Sequence, residues 1–146
     1  MTSALYNRDI LRLAASIPHQ RRLESPMMTV EKSSPVCGSR VVVDLRLDAD
    51  GRVAELGQEV RACALGQASA ALMGAHALGR APEELTEARD RLAAFLAGTC
   101  DDPGEWPGLT IFEAARPYSA RHPSILLAFD AAAAAALAAA ACDRKS

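Results

Sequence analysis

Hydrophobic positions first recur with helical spacing. Leu5 or Tyr6, Ile10, Leu13 and Ile17 fall near one face, with Arg8, Asp9 and Arg12 largely opposite. This predicts an amphipathic helix, and Pro18 ends it. Residues 19–32 are mostly polar and hold Pro26, and positions 27–30, Met-Met-Thr-Val, read as a short edge strand. From 40 to 48 the pattern is first β-branched (Val41, Val42, Val43) and then alternating (Asp44, Leu45, Arg46, Leu47, Asp48), which predicts a strand. Asp50-Gly51 is a hairpin signal, and the return strand runs over 52–59 or a little beyond. A small three-stranded antiparallel sheet is the expected result.

From Cys63 the period changes. Ala64, Ala68, Leu72 and Ala75 or His76 form one helical stripe, and the small residues Gly66, Ala70, Ala71 and Gly74 would let this helix approach the sheet. Gly79 closes it. Pro82 opens the next helix, with Glu83 and Glu84 at the positive end of its dipole. Leu85, Leu92, Phe95 and Leu96 supply its buried side up to Gly98. Residues 99–108 form a loop that Trp106 anchors, and a short helix over 109–115 is broken by Pro117. A final helix begins at Pro123-Ser124 and reaches Ala141, leaving 143–146 frayed. The fold class is therefore α+β, with one domain over residues 1–146.

Composition narrows the classes of function. A chain of 146 residues with 50% hydrophobic content can bury a core without disulfides or a structural metal. Sixteen Lys and Arg against 18 Asp and Glu leave a net charge of -2 with no basic run, which argues against nucleic acid as a partner. The N-terminus has no secretory pattern, so a cytoplasmic location is expected. The nearly all-alanine stretch 131–141 around Leu137 is too short to span a bilayer, so a packed helix and no membrane are expected. Four cysteines, Cys37, Cys63, Cys100 and Cys142, include no C-x-x-C pair and read as reduced thiols.

Two of these thiols sit where a sheet usually presents functional groups. Cys37 lies in Ser34-Pro35-Val36-Cys37-Gly38-Ser39, held between a proline and a glycine at a strand's mouth. Cys63 lies where a strand gives way to a helix, so unpaired amides and the positive dipole end would favour its thiolate and make it a nucleophile able to receive a persulfide. The alternative is a small buried apolar residue, the common fate of free cysteines. Cys100 and Cys142 read as incidental. His19 and His76 read as loop and helix-surface residues, Arg121 as facing the site or solvent, and Asp44 and Asp48 as facing solvent.

The order of these features resembles the U-type iron-sulfur assembly proteins, the IscU, NifU N-terminal and SufU group. Leu5-Tyr6-Asn7-Arg8-Asp9-Ile10-Leu11 is similar to that family's L-Y-x-x-x-I-L, and Ser34 to Ser39 to its N-P-x-C-G-D loop. Asp48-Ala49-Asp50-Gly51-Arg52-Val53 resembles its hairpin turn, and the stretch from Cys63 to Met73 its G-C-x-x-x-x-A-S-x-S-x-M helix start. Tyr118-Ser119-Ala120-Arg121-His122-Pro123-Ser124-Ile125-Leu126-Leu127-Ala128-Phe129 is similar to the SufU branch's F-P-A-R-x-x-C-x-x-L-A-W, and 99–117 occupies that branch's insertion.

The resemblance implies a scaffold or sulfur acceptor served by a cysteine desulfurase, not an enzyme except for sulfur transfer through a persulfide at Cys63. In the family three cysteines and an aspartate hold zinc or a [2Fe-2S] cluster. Here Cys37 and Cys63 are kept as cofactor-binding candidates, while Ser39 takes the aspartate position and Ser124 the third cysteine position. His122 is the further candidate, and Cys37, Cys63 and His122 would make a zinc site with an open corner. A relative that has lost the cluster and acts as a binding or regulatory partner is the other reading. Monomer and homodimer both remain open, and the segment by which the IscU branch meets its Hsp70-type chaperone is missing.

Overall fold

The structure is a computed structural model and describes residues 7–35 and 38–145, the side chains of 143–145 excepted. Leu5, Tyr6 and Cys37 lie outside the described residues. The first helix, α1 (Arg8–Ala14), is capped by Asn7, whose Oδ1 accepts the Ile10 amide at 3.0 Å, and it buries Ile10 completely. Three strands follow: β1 (Met28–Ser34), β2 (Ser39–Leu47) and β3 (Val53–Arg61). They form an antiparallel sheet in the order β1-β2-β3, with β2 in the centre. The edge strand β1 is longer than the four residues expected, because its exposed outer positions carry Thr29, Glu31 and Lys32 and give no hydrophobic alternation to read.

Asp48 closes the β2–β3 hairpin, its Oδ1 accepting the amides of Asp50 (2.9 Å) and Arg52 (3.0 Å), while Gly51 takes φ 80°. The helical layer comprises α2 (Ala64–His76), α3 (Pro82–Ala97), two 3-10 turns (Leu109–Ala115 and Ser119–Arg121) and α4 (His122–Lys145). α4 is the central element, packing against β1, β2, α2 and α3. Its Ala128, Ala131, Ala132, Ala135, Ala136 and Ala139 are all fully buried. Alanine is the strongest helix former and the least bulky apolar residue, so α4 is both stable and closely approached.

The expectation of a packed helix holds, but the apolar segment is longer than 131–141. The helical stretch Ser119–Cys142 is long and apolar enough, by length and composition, to cross a membrane. Most of its apolar face is instead spent on the sheet and on α2 and α3. A second correction concerns α2. Only part of its small-residue stripe meets the sheet: Gly74 abuts Pro18 and the Gln58 side chain of β3, as expected, whereas Gly66 abuts Ser124 of α4. It is α4 that lies directly on β1 and β2.

The expected anchor of the 99–108 loop is present. Trp106 is buried, donates from Nε1 to the Leu72 carbonyl at 2.9 Å, and meets Phe129 edge-on at a centroid distance of 5.3 Å. The Arg80 guanidinium lies 4.9 Å from the Trp106 ring centroid.

Asp44 overturns a further expectation: it is fully buried. The polar segment between α1 and β1 passes the open edge of β3, where the His19 carbonyl accepts the Gln58 amide at 2.8 Å, and then crosses the sheet's outer face. Only glycine fits at 57, where a Cβ would stand 2.3 Å from the Arg21 carbonyl oxygen. Beneath this cover the Asp44 carboxylate accepts Arg22 Nε (2.7 Å), Arg22 Nη2 (3.1 Å), the Leu23 amide (2.9 Å) and Thr29 Oγ1 (2.6 Å).

Burial alone would raise the Asp44 pKa. The hydrogen bonds from Arg22, Thr29 and Leu23, together with the Arg22 charge, outweigh it and hold the carboxyl below its ordinary value. A carboxylate depressed in the folded state contributes stability in full above its unfolded pKa, and loses it as pH falls through the folded value. Asp44→Asn should therefore lower stability by about 2–3 kcal/mol at neutral pH. In urea titrations from neutral pH to about pH 3, the gap between the wild-type chain and this variant should narrow as acid protonates Asp44. A gap that stays constant would show that the charge on Asp44 is not what the covering segment is held by.

Candidate functional site

Three chain segments begin at one place. β2 starts at Ser39, α2 is preceded by Cys63 as its N-cap residue, and Ser124 is the third residue of α4. Cys63 Sγ is 3.2 Å from Ser124 Oγ, and Ser124 Oγ is 3.2 Å from Ser39 Oγ. The result is a hydrogen-bonded chain of one thiol and two hydroxyls. Its hydroxyl end is interior, with Ser39 3% and Ser124 2% exposed, whereas Cys63 is partly exposed. A partly exposed thiol is thus backed by two buried polar groups that hydrogen-bond one another.

Local sequence explains the convergence. Cys63 has extended backbone (φ -67°, ψ 172°) and its side chain makes no capping bond, so the thiol is left for other contacts. Gly66, one turn into α2, lies so close to α4 that a Cβ would stand 2.8 Å from Ser124 Oγ and 2.7 Å from the Ala62 Cβ. One turn further on, Ser69 Oγ donates to the Ile125 carbonyl at 2.5 Å. These two contacts fix the start of α4 against the start of α2. The small residues at 66, 70, 71 and 74 signal a close approach at Gly66, but the partner expected was the sheet rather than α4, and Ser69 carried no expected partner.

Opposite them lies the turn between β1 and β2. Its ends are fixed by the Gly38 amide donating to the Ser34 carbonyl at 2.9 Å and by the pairing of Ser34 with Ser39. Gly38 takes φ 69°, a left-handed conformation that favours glycine. Cys37 belongs to this turn by sequence and lies outside the described residues.

His122 is placed differently. Its Nε2 lies 2.9 Å from the Ala115 carbonyl oxygen and 3.1 Å from that of Arg116, and donates to them. Only Nδ1 is left for a ligand, and the ring lines a shallow apolar groove with Pro35, Pro123, Leu126 and Leu127. Among the described residues no group of three His, Cys, Asp or Glu is placed to hold a metal ion. Arg121 is exposed. Cys100 bonds the Asp102 carbonyl at 3.2 Å, Cys142 is exposed, and His76 is half-buried edge-on to Trp106.

No protein-family model matches the sequence, and no curated protein matches it. Solved structures do. A nitrogen-fixing NifU-like protein (N-terminal) from Brucella abortus is 37% identical, with a TM-score of 0.86 over 92% of this chain and 93% of that one. A protein assigned as an iron-sulfur cluster assembly scaffold for the SUF system of Fervidobacterium islandicum AW-1 is 19% identical, with a TM-score of 0.85 over 93% and 99%. A hypothetical protein is 18% identical, with a TM-score of 0.76 over 92% and 98%. At these lower identities the last two bear on the fold alone.

The contact at Gly66 is open to a direct check. Alanine is preferred over glycine inside a helix by about 1 kcal/mol, yet Gly66→Ala is expected to destabilise the chain by about 1–3 kcal/mol through overpacking. Thermal and urea unfolding read the sign. A stabilised Gly66→Ala chain would mean that α2 and α4 are free to move apart.

Proposed function

The chain belongs to the NifU-like N-terminal family of U-type scaffold proteins, and from that membership we propose that it serves iron-sulfur cluster assembly by accepting sulfur from a cysteine desulfurase at Cys63. The observation that carries this reading is the partly exposed Cys63 thiol, free of any capping duty and held by the buried Ser124 hydroxyl. The NifU-like relative, 37% identical over 92% of this chain, supports the assignment to assembly rather than to catalysis of a small-molecule reaction. Cys37, placed at the same site by its motif, is the second thiol of this proposal.

The transfer step balances without an added oxidant or reductant. The Cys63 thiolate attacks the terminal sulfur of the desulfurase's persulfide. A sulfur-sulfur bond forms at Cys63, the bond between the desulfurase cysteine and its terminal sulfur breaks, and the electron pair leaves with the desulfurase thiolate. The Ser124 hydroxyl, 3.2 Å from Cys63 Sγ, turns its proton toward sulfur while the sulfur is negative. Ser39, 3.2 Å from Ser124 Oγ, fixes the rotamer of that hydroxyl. The persulfide so formed, or a cluster built from it, is cargo to be passed on.

Incubation with a cysteine desulfurase and L-cysteine, followed by alkylation and mass spectrometry, tests the proposal. A persulfide is expected at Cys63 and its labelling should vanish in Cys63→Ser. Ser124→Ala should slow labelling about fivefold, the worth of one hydrogen bond of about 1 kcal/mol. A desulfurase that turns over while the wild-type chain gains no persulfide sinks the proposal.

A further inference from the structure

We infer that the Ser39, Cys63 and Ser124 cluster keeps neighbouring side chains near ligand spacing but lacks the charge of a metal site, so that the native chain does not retain zinc or an iron-sulfur cluster there and S39D with S124C creates a site that does. The first half rests on distance. Ligands bound at 2.0–2.3 Å around a tetrahedral metal stand about 3.3–3.8 Å apart. Cys63 Sγ to Ser124 Oγ and Ser124 Oγ to Ser39 Oγ are both 3.2 Å, just short of that range. The three side chains are therefore contiguous, with Ser124 in the middle.

The second half rests on donor chemistry. Zinc and iron-sulfur clusters are held by thiolates, imidazoles and carboxylates, which supply negative charge or a strong lone pair. A serine hydroxyl is neutral at pH 7 and a weak ligand for these metals. In this chain the hydroxyls also have other partners. Each metal bond they made would break the Ser39–Ser124 and Ser124–Cys63 hydrogen bonds that satisfy a nearly water-free interior. Among the described residues no group of three Cys, His, Asp or Glu is placed to replace them. His122, the nearest in sequence, has its Nε2 committed to the carbonyls of Ala115 and Arg116.

Packing holds the Ser124 corner of the cluster in place. Gly66 packs against Ser124 with no room for a Cβ, and Ser69 ties the next residue's carbonyl. A carboxylate at 39 would be charged and buried, and would need a cation to offset it. S39D/S124C should accordingly fold better with zinc than without, whereas the native chain should be indifferent to zinc.

Anaerobic competition against a chromogenic chelator of about micromolar zinc affinity, with elemental analysis and thermal unfolding with and without zinc, tests this. The native chain should surrender its zinc to the chelator and show no change in Tm. S39D/S124C should keep about one zinc per chain and gain Tm with zinc. S124C alone, a near-isosteric change that preserves the fold if the double variant does not, should show the cobalt-thiolate charge-transfer absorption more strongly than the native chain. Two results overturn the inference: a native chain that holds one zinc against the chelator and loses it in Cys63→Ser, or folded variants that hold no more metal than the native chain. Either leaves the persulfide experiment unaffected, because sulfur acceptance at Cys63 is read in the absence of added metal.

Discussion

The closeness of two helix beginnings is the constraint on which the rest of the molecule depends. α2 and α4 meet at Gly66 and Ser124 with less than a methyl group of slack, and Ser69 seals the contact by donating to the Ile125 carbonyl. Because α4 also lies on β1 and β2 and against α3, fixing its first turn fixes the helical layer on the sheet. The same contact places Ser124 beside Cys63. Core packing and site geometry are one arrangement here, and the small side chains along both helices are what permit it.

The sheet answers to a different requirement. Its central strand is covered on both faces, by α4 on one side and by the segment leading into β1 on the other. Covering the outer face with polar chain would leave buried polar groups unpaired unless something inside accepted them. Asp44 does so, taking donors from Arg22, Leu23 and Thr29 at once. Gly57, pressed by the Arg21 carbonyl, records how tightly that cover is drawn.

Much of this was legible in the residues. The 3.6-residue stripe after Cys63, the Pro82 and Gly98 limits of α3 and the Asp50-Gly51 turn each state a backbone geometry locally, and each element lies where its pattern put it. What stayed hidden depends on partners distant in sequence. Nothing around Asp44 in β2 reveals that residues 21–23 will lie over it. The small residues of α2 announce a close approach without saying to what: Gly74 meets the sheet through Gln58, but Gly66 meets α4. Alanine carries no amphipathic stripe, so the extent and the buried faces of α4 come only from its neighbours. At the site, Cys63 and its helix start could be read directly, and the hydroxyl pair Ser39 and Ser124 came through the family motif. That His122 turns to the 3-10 turn could not be read, because it depends on carbonyls freed where that turn ends.

One feature of the core also makes the protein convenient to watch. Trp106 is the sole tryptophan in the chain, buried between Phe129 of α4 and the Arg80 guanidinium and tied to the Leu72 carbonyl of α2. Its ultraviolet emission is therefore a built-in optical reporter of whether the loop after α3 is seated on the helices. Leu72 is nine residues along α2 from Cys63, about 13 Å of helix, so events at the thiol and dye-labelled changes there can be followed against a fluorophore that chemistry at Cys63 does not touch.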